Sequence, residues 1–238
     1  MSPEPMPSDP FEPWRIHLAE VSRCRGTACF AALAAHFGTT SPVVLEARVD
    51  QRHAYLTANG DRAWSGIYRR WQRDGVLPTD KTAERVLIRS GGAVDLRRWR
   101  DLALWWLLTP GPKFVTSLQQ RAAQFSSQIR RLVFENYESS LVGEYSSLEI
   151  APRRIVSLRN LRSLEAFHAL VYLARESEWI GSEPRQMLPA YCALEIFPGV
   201  LRRYAPLRYR GELLSNCVES VLSRRLLPTG HIGAIQTR

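Results

Sequence analysis

Arginine is the residue with the most chemical potential in this chain. Lys and Arg together number 32, and since only Lys81 and Lys113 are lysines, 30 are arginines. A guanidinium carries a planar fork of donors that matches phosphate and carboxylate oxygens. Codon usage in a GC-rich genome also replaces Lys by Arg, so the ratio alone names no ligand. Spacing says more. If residues 62–73 form a helix, Arg62, Arg69 and Arg73 fall at i, i+7 and i+11 on one face and Arg70 at its edge. Ile67, Tyr68 and Trp71 then face the other way, toward a core. Arginines on one helix face can reach phosphates and base edges, and Lys81 lies just beyond them in sequence. The competing reading is a solvated basic face on an ordinary bundle helix.

Other constellations carry less. His17, Cys24, Cys29 and His36 form a symmetric array, but on a continuous helix Cys24 and Cys29 point about 140° apart and do not converge on zinc. Asp50 with His53, and Glu165 with His168, have the carboxylate-x-x-His spacing of di-iron bundles, without two further carboxylates that the sequence singles out. No Gly-x-Ser-x-Gly elbow, flanked catalytic cysteine, dinucleotide fingerprint or phosphate-binding loop occurs. The expectation is a protein without catalysis, cofactor or metal. Trp99, Trp105 and Trp106 lie among Leu102, Leu104, Leu107 and Leu108, on a segment apolar all round. Core packing explains them, and a partner-binding surface anchored by tryptophan is the alternative.

The elements that must position these residues read as helices. The chain has 238 residues, 45% hydrophobic and 23% charged, ordinary values for a globular protein with a sizeable core. Residues 1–13 hold five prolines and read as a flexible tail. They lack the basic start and apolar run of a secretory signal. No apolar run approaches the length of a membrane span, and four irregularly spaced cysteines suggest reduced thiols, so the expected compartment is the cytoplasm.

Apolar spacing predicts helices over 14–37, with a break near Gly26, over 43–56, and from about Asp61 to Asp74. Gly38 suits a C-cap and Ser41 an N-cap. Thr79 starts a helix that runs to Arg89 before Gly91-Gly92, and another spans 95–108. Thr109-Pro110-Gly111-Pro112 is the best internal boundary, dividing a region 14–110 from a helical region 113–228, with a tail over 229–238. Beyond it the pattern predicts a long helix from Phe114 to Asn136, an unresolved stretch over 137–157 in which Ile155-Val156 reads as strand or loop, and a strong helix through Leu158, Leu164, His168 and Tyr172. Two more follow, over 184–204 (interrupted near Pro189 and Pro198) and 210–226. The class is mostly α, a multi-helix bundle.

Residues 67–78, Ile-Tyr-Arg-Arg-Trp-Gln-Arg-Asp-Gly-Val-Leu-Pro, lead into a helix with Ala83, Val86 and Leu87 on its apolar side. Over 59–108 this resembles the second half of a lambda-repressor-like (Xre-type) helix-turn-helix, in which a recognition helix ends before a Gly-x-x-Pro turn. It is also similar to an uncharacterised bacterial Trp/Gly/Pro helical module. The nearest counterpart of the family's positioning helix, Asp50 to Leu56, departs from the Gln-x-x-Leu-Ala pattern. The repressor resemblance implies docking of a helix in the major groove.

Charge agrees with a polyanionic partner. The net charge is +9, and residues 1–60, with five basic and six acidic groups, carry none of the excess. Residues 61–112 hold ten basic and six acidic groups, and residues 113–238 hold seventeen and eleven. The expectation is a bacterial DNA-binding regulator that contacts DNA through Arg62, Arg69, Arg70, Arg73 and Lys81. Its C-terminal helical region would dimerise or bind a partner. The alternative is a helical adaptor whose arginines meet an acidic protein surface, in a bacterial defence or mobile-element assembly.

Overall fold

A computed structural model of the chain describes residues 12–51, 55–56, 62–111, 120–121, 124–134, 150–180 and 183–223. The 1–13 tail, apart from its last two residues, and the 229–238 tail lie outside these. The described residues are mostly helical, with one antiparallel pair of two-residue strands.

The longest helix, α1 (Glu12–Phe37), passes through Gly26 without a break. Its small residues Gly26, Ala28, Ala31 and Ala32 let other elements approach its backbone closely. Gly38, at φ 62°, ends it. Ser41 caps α2 (Pro42–Asp50), its hydroxyl accepting from the Val44 amide. α2 stops six residues earlier than its apolar spacing suggests, because Gln51 turns left-handed at φ 52°. Strands β1 (Tyr55–Leu56) and β2 (Arg62–Ala63) pair Leu56 with Arg62, and α3 (Ile67–Asp74) follows. Then come α4 (Asp80–Arg89), capped by Thr79, and α5 (Leu96–Arg100), capped by Asp95. The single helix expected over 95–108 divides at Asp101 and Leu102, and α6 (Ala103–Leu107) continues after an extended Leu102. Arg25 holds that break: its Nε donates to the Arg100 carbonyl (2.5 Å) and its Nη2 reaches Asp101 (3.4 Å).

The C-terminal half contains α7 (Ser127–Val133), α8 (Pro152–Leu161), α9 (Leu164–Ile180), α10 (Glu183–Arg203), α11 (Ala205–Arg208) and α12 (Gly211–Leu222). The long helix expected over 114–136 is interrupted at 124–126, because Ser126 is an N-cap: its hydroxyl accepts from the Ile129 amide and donates to Glu165 (2.9 Å). Ile155 and Val156 lie inside α8, which starts on Pro152 at its first turn, where a missing N–H costs nothing. A left-handed Arg162 separates α8 from α9. Pro189 and Pro198 do not interrupt α10. Each interior proline costs about 3 kcal/mol, and the burial of Ala190, Cys192, Ala193, Ile196, Phe197 and Val200 in one face outweighs it.

Two hydrophobic cores meet along α1. The larger is organised round α9, buried on every side from Ala166 to Leu173, and takes Val21, Cys24 and Ala28 from α1. The smaller takes Cys29, Phe30 and Leu33 from the next turns of α1, with Leu45 and Val49 of α2, Tyr68 and Trp71 of α3, Ala83 and Val86 of α4, and Leu96 of α5. No single helix among the described residues is long and apolar enough to cross a membrane.

Candidate nucleic-acid interface

α3 has eight residues, about 12 Å of helix, and divides sharply into two faces. Tyr68 and Trp71 are fully buried, their rings 4.8 Å apart, and Ile67 packs beside them. Burial and the nearby Asp50 carboxylate push the Tyr68 phenol well above its ordinary range, so it stays neutral. Arg69, Arg73 and Arg70 occupy the opposite arc of about 100° and are exposed.

The helix is held at both ends. Gly66, left-handed at φ 67°, starts it, and the preceding Ser65 amide donates to Glu46 Oε1 (2.9 Å). Gly75, at φ 75°, ends it, its amide donating to the Arg70 carbonyl. Gly75 lies directly on α1. A methyl built on Gly26 would sit 2.5 Å from the Gly75 carbonyl carbon, and one on Gly75 would overlap the Arg23 Cα. Gln72 adds a third fixture. Its carbonyl accepts from Arg210 Nη2 (3.2 Å) and Thr27 Oγ1 (3.3 Å), and its amide nitrogen is 2.8 Å from the Tyr209 hydroxyl. The backbone of α3 is thereby fixed against α1 and the corner between α11 and α12, with its arginines facing outward.

The charges differ in their partners. Arg73 pairs with the adjacent Asp74 (2.7 Å), an exposed contact that holds the Asp74 carboxyl below its ordinary value. Arg69 and Arg70 make no ion pair among the described residues. Lys81, in the first turn of α4, is exposed and likewise unpaired there.

Two expectations need correction. Arg62 is not on this helix: it lies in β2, and the helix starts only after the left-handed Gly66. The four-arginine face is a three-arginine arc. Nor does α2 stand to α3 as a positioning helix to a recognition helix. The two are separated by residues 51–66, including the β1–β2 pair, where a helix-turn-helix has a turn of three or four residues.

The tryptophans are core residues to different degrees. Trp105 is buried, its indole N–H donating to the Trp99 carbonyl (2.7 Å), and so it offers no anchor to a partner. Trp99 and Trp106 are half-buried against the larger core, Trp99 beside Tyr204 and Trp106 beneath the Arg121 guanidinium.

The remaining groups are engaged within the fold. Asp50 pairs with Arg85, and Glu165 takes the Ser126 amide and hydroxyl; His53 lies outside the described residues. Cys24 and Cys29 enter different cores, and His36 is exposed. Burial pushes the Cys29 thiol up to about 12, far from a reactive thiolate. The fixtures that sequence reasoning missed are Gln72, Tyr209 and Arg210; contacts 137 and 138 residues apart leave no trace in local spacing.

Comparison with protein-family models, curated proteins and solved structures finds no match to this chain. What the fold and site define is a mostly helical protein that displays a short, braced, arginine-bearing helix.

Proposed function

We propose that this chain is a non-enzymatic DNA-binding protein that acts in the cytoplasm and contacts phosphates through Arg69, Arg70 and Arg73, with Lys81 and Arg62 as flanking contacts. The observation that carries the reading is the solvent arc of α3: three guanidinium groups on a braced helix, two of them in no ion pair among the described residues. Fixing the helix beforehand removes part of the ordering cost of binding. Three guanidinium groups displace counterions from DNA, and one that reaches a base edge adds sequence preference. The C-terminal bundle is the region for self-association or a regulatory partner in this reading. Met187 and Tyr191, one turn apart on α10, are its most exposed large apolar side chains among the described residues.

Anisotropy of labelled duplex DNA, titrated with the full chain across a salt series, tests the proposal. Wild type binds with an affinity that falls linearly in log–log form. Arg69→Ala/Arg70→Ala lowers affinity at least tenfold and reduces the slope by about 1 to 2, since each phosphate contact contributes about 0.9. Arg153→Ala/Arg202→Ala, on exposed arginines of α8 and α10, changes neither by as much. Absence of binding by a folded wild type at low salt, or an unaltered double variant, removes the reading and leaves an acidic protein surface as the partner to seek.

A further inference from the structure

α1 carries a second chemical face, far in sequence from the arginine arc. His17, Glu20 and Cys24 are spaced i, i+3 and i+7 and lie within about 60° of one another round the helix axis. Opposite them, α12 contributes Cys217. The donor atoms of His17, Glu20 and Cys217 all lie within 4.8 Å of one another, and Cys24, on the same face of α1, is buried in the same core as Cys217. His17, Cys24 and Cys217 are buried, whereas Glu20 is half-exposed and opens the cluster to solvent.

The imidazole is oriented from behind. His17 Nε2 is 2.7 Å from the carbonyl oxygen of Leu108. That oxygen only accepts, so Nε2 is the donor in this contact. Metal-bound histidines are commonly held this way, the second ring nitrogen donating to a backbone carbonyl. One imidazole, one carboxylate and two thiols are also a donor set that suits zinc and excludes the hard, all-oxygen cations.

We propose that His17, Glu20 and Cys217, completed by Cys24, bind one zinc ion that clips the start of α1 to α12. Each thiol loses its proton to solvent as it binds, and no redox step is involved. The clip joins helices whose ligands are about 200 residues apart in sequence, so the metal closes the larger core at the edge where it is open to water. It also explains why the pair of cysteines within α1 fails as a zinc site: Cys29 points into the other core, and the second thiol comes from Cys217.

The full chain, produced in zinc-supplemented medium and passed over chelating resin under reducing conditions, should retain about one zinc per chain by elemental mass spectrometry. Cobalt substituted for zinc should give a thiolate-to-metal charge-transfer band in the near ultraviolet. Cys217→Ala and Cys24→Ala should each lose stoichiometric zinc and weaken that band, whereas Cys29→Ala and Cys192→Ala should keep both. Wild type alone covers the case in which the variants fail to fold: its melting temperature should rise with added zinc and fall with chelator. Zinc absent from wild type with a melting temperature indifferent to added zinc overturns the proposal. So does stoichiometric zinc in Cys217→Ala, or a metal-free chain whose mass shows a Cys24–Cys217 disulfide.

Discussion

The two cores are built on different principles, although they share one helix. The larger rests on long helices: α9 is buried all round, and α10 lies along it with its two prolines absorbed by packing. The smaller has only short helices, α2 to α5, set on the second half of α1. It depends on three fully buried aromatic rings (Phe30, Tyr68 and Trp71), a backbone contact between Gly26 and Gly75, and arginine bridges at its edge. Arg100 donates to Asp80 (2.7 Å), Asp101 (2.9 Å) and the Pro78 carbonyl, and Arg25 joins this network from α1. A region with little apolar depth is held by shape and charge, and that is the region that presents the arginine arc.

The sharpest way to break this comparison is one large truncation in each core. Trp71→Ala and Phe167→Ala should each cost about 3–5 kcal/mol, the usual range for a buried aromatic. If the cores melt separately, calorimetry of Trp71→Ala should show an early transition while that of the larger core stays in place. One shared transition lowered by both variants would show that α1 couples them into a single cooperative unit.

Glycine substitutions sharpen the contrast at smaller scale. Gly75→Ala forces backbone apart and strains a φ of 75°, and should cost several kcal/mol in a urea titration, on the order of an overpacked core. Gly199→Ala, in α10 with nothing within 4 Å of the added methyl, should stabilise by about 0.5–1 kcal/mol. Equal effects at the two sites would contradict the backbone contact.

A third prediction concerns pH and the larger core. Burial lowers the His168 pKa from 6.5 to about 4, so the ring stays neutral in the fold. The unfolded chain takes up the proton first as pH falls. The stability this group contributes is therefore complete above pH 6.5 and lost between 6.5 and about 4, by roughly 3 kcal/mol at most. His168→Gln should flatten that part of the pH profile of the urea midpoint. A profile unchanged by the substitution would show that His168 meets water in the folded chain.

Much of the fold was legible because it is local. Helix caps involve residues three or four apart, so Gly38, Ser41, Thr79 and the Gly91-Gly92 stop could be read directly, as could the apolar periods of α1, α4 and α9. The arginine arc was legible for the same reason, except at Arg62, which precedes the left-handed Gly66 on which the helix starts. Failures cluster where distant groups decide. Arg25 holds the break at Asp101, Glu165 receives the Ser126 cap that divides the expected long helix, and α10 runs on through Pro189 and Pro198 with one face buried in the larger core.

By itself, then, the sequence determined that the chain is helical, where α1, α4 and α10 begin and end, and that arginines lie on one side of α3. Each of these follows from backbone preferences and side-chain periodicity within a few turns. Only the tertiary structure decided that Gln72 meets Tyr209 and that His17 meets Cys217. Such meetings depend on how whole helices pack, and the spacing of residues along one helix carries no information about the partner it will face.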